Sequence, residues 1–145
     1  MKELIEREHE LTAIGELLDR RNGVIAVEAG VGLGKTSLVQ AACRLAQKLD
    51  YRVLSARGSE LEADFASGVV RQLLERQVAG VAPEERASLL VGPAAAAGRL
   101  LFGSPVDALD GDSSFAVLHG LFWLIVNLSA ARPLLVTVDD AQWVD

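Results

Sequence analysis

Between Glu8 and Arg20 the apolar positions Leu11, Ile14, Leu17 and Leu18 line one face of a helix, and Arg21-Asn22-Gly23 supplies the turn that stops it. The period then changes. Val24 to Val27 is a short apolar run rich in β-branched residues, which predicts a buried strand. Beyond Gly34 the helical spacing returns at Leu38, Ala42, Leu45, Ala46 and Leu49, with Arg44 and Lys48 on the other side. Tyr51 to Ala56 predicts a second strand, closed by Arg57-Gly58. Strand, helix, strand in that order is a βαβ unit, and it calls for a parallel sheet with a right-handed crossover.

The middle of the chain is helical in a weaker pattern. Ala66 to Val78 carries Val69, Val70, Leu73 and Leu74 on one side, and Pro83-Glu84-Glu85 reads as a helix start with acids near the positive end of its dipole. Gly92 to Gly103 mixes alanine with glycine and leaves its boundaries undefined. Gly103 to Ser114, with Asp107, Asp110 and Asp112, reads as a solvated loop, because its acids do not follow the ligand order of a calcium-binding hand. Ser114 is placed to cap a helix running to about residue 130. Pro133 then precedes a third strand, Leu134 to Val138, which ends in Asp139-Asp140, and no internal repeat is visible.

Composition narrows the function classes. The chain has 145 residues, half of them apolar, which suits one domain with one core. A formal net charge of -6 disfavours DNA or an anionic membrane as a direct partner. The single cysteine, Cys43, has no internal disulfide partner and reads as a small buried residue on a helix. The N-terminus is charged from Lys2 onward, unlike a signal peptide. The apolar stretch Phe115 to Leu128 is broken by His119 and Asn127 and is shorter than the roughly 20 residues a membrane span needs. A cytoplasmic protein with no membrane partner is expected. His9 and His119 lack a matched nucleophile nearby in sequence, and Phe122 and Trp123 read as core residues.

The chemistry is carried by VEAGVGLGKTSL, Val27 to Leu38. Glycines at 30, 32 and 34 leave backbone N–H groups unobstructed and permit the positive φ angles that turn them toward one anion. A Lys-Thr pair follows at once. Ala29 to Thr36 fits the phosphate-loop pattern with alanine in first position, and it lies between a predicted strand and a predicted helix, as the mechanism requires. Ala29, Gly30, Val31, Gly32, Leu33, Gly34, Lys35, Thr36 and Ser37 are therefore expected to hold a nucleotide. Lys35 would reach the β- and γ-phosphates, and Thr36 would offer its hydroxyl to Mg²⁺. A dinucleotide fingerprint fits less well, since its third glycine would fall on Lys35.

The third predicted strand adds two adjacent carboxylates where ligands gather at the C-terminal edge of a parallel sheet. Asp139 is expected to serve the metal, directly or through water, and Asp140 to polarise the attacking water, which makes Asp140 and Lys35 the catalytic candidates. Glu60, Glu62 and Asp64 follow the second strand and read as a solvated loop.

With both motifs in place, the whole chain resembles the ATP-binding domain of the large LuxR-type transcriptional regulators, a bacterial branch of the STAND ATPases. LIEREHELTAI is similar to that family's N-terminal Gly-Arg-Glu motif, ARGSELEADFASGVVRQLLE and FAVLHGLFWLIVNLS to its middle segments, and DDAQWVD to its acidic strand end. The resemblance implies an α/β P-loop NTPase fold, a parallel sheet flanked by helices, with ATP and Mg²⁺ as cofactors. It places Ile5 and Arg7 near the base. Glu6 stands where the motif has glycine, and Gln142 where histidine is common. It further implies a longer protein. In the family the strand after the Asp-Asp strand lies between it and the phosphate-loop strand, and a helical lid, a winged helix, helical repeats and a C-terminal helix-turn-helix follow. Residues 1–145 are then the N-terminal part of the ATPase domain, its partners being the rest of its own chain, DNA through that C-terminal domain, and a homo-oligomer of the full-length protein. The function implied is an ATP-driven switch. The alternative from the residues alone is a small-molecule kinase, which shares the phosphate loop; a transporter-type ATPase would need a Leu-Ser-Gly-Gly-Gln signature that the chain lacks. A non-enzymatic interaction module is the remaining reading.

Overall fold

The computed structural model describes residues 7–30, 32–60, 68–103 and 111–143. Ile5, Val31, Glu62, Asp64, Asp107 and Asp110 lie outside the described residues, as does the side chain of Asp112. Helix α1 (Glu8–Arg20) begins with Glu8 and Glu10 at its positive end and closes with Arg20 at its negative end. Arg21 then adopts the left-handed conformation, its N–H donating to the Leu18 carbonyl. Helix α2 (Lys35–Lys48) follows the glycine loop and leads into strand β1 (Arg52–Arg57). Four helices come next: α3 (Gly68–Ala79), α4 (Pro83–Leu89), α5 (Ala95–Phe102) and α6 (Gly111–Ser129). Pro83 occupies the first turn of α4, where its missing N–H costs no hydrogen bond. Strand β2 (Leu134–Asp139) completes the order.

β1 and β2 pair in parallel, with Arg52 opposite Leu134 and Arg57 opposite Asp139. Side chains alternate across this small sheet. Val53 and Leu135 pack against a cluster of Ile14, Leu18, Leu38, Ala42, Ala46 and Tyr51, the contribution of α1 and α2. Leu54 joins, and Leu134 packs against, the opposite cluster, in which Leu74, Val78, Leu89, Ala97, Leu101, Leu124 and Leu128 come from α3 to α6. Each fully buried leucine stabilises the fold by roughly 1.5–3 kcal/mol. The Tyr51 hydroxyl donates to the Leu18 carbonyl and ties the start of β1 to the end of α1.

The structure corrects several expectations. Val24 to Val27 forms no strand: Val24 is 93% exposed, Ile25 is 42% exposed, and neither joins the ladder. A strand needs a neighbour for its backbone groups. The described partner of β2 is β1, and β2 also lines a groove of about 840 Å³ together with residues 23–28. The parallel crossover therefore runs from β1 through α3–α6 to β2. Helix α6 begins at Gly111, so residues 111–114 are helical and Ser114 is not its cap. Phe122 and Trp123 are 60% and 39% exposed, on a face shared with Phe115 and Leu118. His119 sits between two rings there, stacked near Phe115 and accepting a hydrogen bond from the Trp123 indole N–H. Cys43 is half-buried and lies 3.8 Å from both the Ser55 and Thr137 hydroxyls on the sheet.

Candidate functional site

The loop before α2 is shaped by two glycines in the left-handed region, Gly32 at φ 80° and Gly34 at φ 78°. A side chain at either position would be strained, and at Gly32 a Cβ would project into open space, where a ligand can approach the backbone. Gly34 is the N-cap of α2, so the first free N–H groups of that helix begin beside the loop. Lys35 folds back over the loop: its ammonium donates to the Ala29 carbonyl at 2.7 Å and to the Gly30 carbonyl at 3.3 Å. These carbonyls hold the cation at the loop's mouth. Leu33 and Ser37 are exposed at the same loop. The Arg7 guanidinium donates to the Leu33 carbonyl and lies 4.0 Å from the Glu10 carboxylate. Arg7 is thus brought onto the glycine loop; Ile5 and Val31 lie outside the described residues.

The two sequence motifs meet. Thr36, in the first turn of α2, donates to Oδ2 of Asp139, the last residue of β2, at 2.7 Å. Oδ1 of Asp139 accepts the backbone N–H of Asp140 at 3.1 Å, which fixes the carboxylate's rotation. A hydroxyl and a carboxylate are hard oxygen donors of the kind Mg²⁺ takes, and that ion is ordinarily completed by water and phosphate oxygens. Among the described residues, no group of three or more His, Cys, Asp or Glu could hold a metal by itself. The donor set therefore fits a metal brought with a phosphate ligand and does not suit a protein-only metal cage.

Asp140 stands at the junction of two clefts. The first is the groove beside β2, which Lys35 and Asp139 also line. The second is lined by Arg57, Gly58, Ser59, Glu60, Gln72 and Trp143. In the latter, Arg57 Nε and one terminal nitrogen each lie 2.8 Å from Oδ2 of Asp140. The Arg57 pKa is raised, first by this hydrogen bond and then by the charges of Asp140 and Asp139. Sequence reasoning missed Arg57, taking it with Gly58 as the stop of a strand. The available signal was a cation closing one parallel strand while two acids close the other.

A family model described as an AAA ATPase domain matches residues 3–145. No curated protein and no solved structure matches the chain significantly.

Proposed function

The chain belongs to the AAA ATPase domain family, and from that premise we propose that it is the ATP-binding, slowly hydrolysing switch of a multidomain transcriptional regulator of the LuxR type within the STAND ATPases. The observation that carries the nucleotide site is the 2.7 Å bond between Thr36 and Asp139, which joins the phosphate-loop helix to the acidic strand end. Gly30, Gly32 and Gly34 cradle phosphate with their backbone, and Lys35 leaves the Ala29 and Gly30 carbonyls for the β- and γ-phosphate oxygens. Thr36 and Asp139 would hold Mg²⁺, which would supply charge neutralisation on the phosphates. Asp140 accepts the proton of the attacking water, and Arg7 lies toward the base. The regulator context rests on the middle segments and on the Asp-Asp-Ala-Gln-Trp run quoted above.

Turnover in such a switch sets the lifetime of a conformation, so the rate is expected to be low. Calorimetric titration of the intact protein with ATP and Mg²⁺, followed by phosphate release with and without small-molecule acceptors, tests the reading. Saturable ATP binding with slow, acceptor-independent phosphate release is expected. Release that depends on an acceptor, with the acceptor phosphorylated, would replace the switch by a kinase.

A further inference from the structure

We propose that the outer face of α6 is the interface of a homodimer, in which two copies of the chain meet through this helix in antiparallel order about a two-fold axis. The face is a single stripe formed by Phe115, Leu118, His119, Phe122, Trp123 and Val126. Phe115 is 72% exposed and Leu118 67%. One such residue on a surface is ordinary, but a continuous row marks a place that is covered by something.

The opposite side of α6 fixes which way the row points. Leu124 and Leu128 are buried in the core cluster, and Leu121 and Ile125 pack against it. Gly120 comes so close to the neighbouring backbone that a Cβ there would stand 2.8 Å from the Pro93 carbonyl oxygen and 2.9 Å from the Ala97 nitrogen. The helix therefore cannot roll to hide its outer row. The row is also ordered before anything meets it. The Trp123 indole N–H donates to Nε2 of His119 at 3.1 Å, Phe115 stacks near His119 at 6.0 Å, and Phe122 meets Trp123 edge-on at 5.7 Å. Rings held in this way lose little freedom on association, and the indole N–H is not buried unpaired.

The spacing of the row selects a second copy as the occupant. A two-fold axis passing between Gly120 and Leu121 sets Phe115 against Val126 of the second copy, Leu118 against Trp123 and His119 against Phe122. Every member then finds its partner within the same set, which is the self-complementarity an isologous interface requires. Charge points the same way. The chain carries a formal net charge of -6, yet no Asp, Glu, Lys or Arg occurs from Ser113 to Ala131, so two copies repel least where these helices face each other. A lipid surface is a poorer match, because a helix that lies on a membrane carries lysine or arginine beside its apolar face. The five apolar members are between 37% and 72% exposed. Side chains of this size then offer roughly 500 Å² per copy, or about 1,000 Å² in the pair, the low end for a specific interface. The dimer is thus reversible, with a Kd of order micromolar.

Sedimentation of the intact protein across the micromolar range tests this. The parent should show a monomer–dimer equilibrium, and Leu118→Glu should raise its Kd about tenfold or more. The melting temperature of the monomer should not change, since glutamate suits an exposed helical position. A second measurement reads the register and does not depend on that variant. In a Cys43→Ser background, Phe115→Cys/Val126→Cys should give a covalent dimer under a mild oxidant, whereas Phe115→Cys alone should not. The two positions lie about 16 Å apart along one helix, too far to bridge within a chain. Val24→Lys, at the groove beside β2, should leave the cross-link unchanged. A protein that stays monomeric, a dimer that survives Leu118→Glu, no cross-link in the double variant, or a cross-link from Phe115→Cys alone would each overturn the inference. A monomer whose melting temperature falls with Leu118→Glu would overturn it too, by showing that the chain covers this face itself.

Discussion

Thr36 and Asp139 stand 103 residues apart in the chain and share a 2.7 Å hydrogen bond. The bond brings a hydroxyl from the first turn of α2 onto a carboxylate at the end of β2, and the same two oxygens are those a phosphate-bound Mg²⁺ would use. Replacing either Thr36 or Asp139 with alanine should raise the Mg²⁺ concentration needed for tight ATP binding about tenfold or more. Titrations of ATP at stepped Mg²⁺ check this; an unchanged requirement counts against both assignments.

Lys35 spends its ammonium on the carbonyls of Ala29 and Gly30. In the proposed reading its charge meets phosphates that are present in the ground state, so Lys35→Ala should abolish measurable ATP binding as well as turnover. Calorimetry is the check, and a variant that binds like the parent would refute the role.

In the proposed reading Asp140 acts on water and so belongs to the transition state. Asp140→Asn keeps the side chain's shape and removes its basicity, and it should leave ATP affinity within about threefold while lowering hydrolysis about a hundredfold or more. Parallel binding and phosphate-release measurements separate the two effects.

Val24, at 93% exposure, and Ile25, at 42%, present apolar surface beside a groove lined by β2, whose partner among the described residues is β1 alone. Edges of this kind favour association between copies. Residues 1–145 produced alone should self-associate with rising concentration, and Val24→Lys should reduce that tendency without lowering the melting temperature. Light scattering and thermal melts measure both.

The sequence made some elements legible because their signal is local. The 3.6-residue period of α1 and α2, the Pro-Glu-Glu start of α4 and the apolar run of β2 all depend on the nearest neighbours in the chain. The site was legible for the same reason at the glycine loop, whose spacing alone implies the left-handed backbone found at Gly32 and Gly34. Val24 to Val27 failed because a strand is a relationship between two segments, and composition reports only one of them. Phe122 and Trp123 were misjudged because hydrophobicity does not say which helix face finds a partner. Arg57 escaped because its meaning depends on register: only the pairing of Arg57 with Asp139 puts a guanidinium beside the next residue, Asp140.

Among the described residues β2 pairs on one side only, which bears on proton exchange with solvent. In a parallel ladder the amides of one strand point alternately to the left and right neighbour. The ends of this ladder are marked by the Arg52 N–H on the Pro133 carbonyl and the Gly58 N–H on the Asp139 carbonyl. That phase turns the amides of Leu135, Thr137 and Asp139 toward β1, and those of Val136 and Val138 toward the groove. Deuterium uptake along β2 should therefore run slow, fast, slow, fast, slow from Leu135 to Asp139. Any segment that enters the groove and pairs there would announce itself by slowing Val136 and Val138 and leaving the other three as they were.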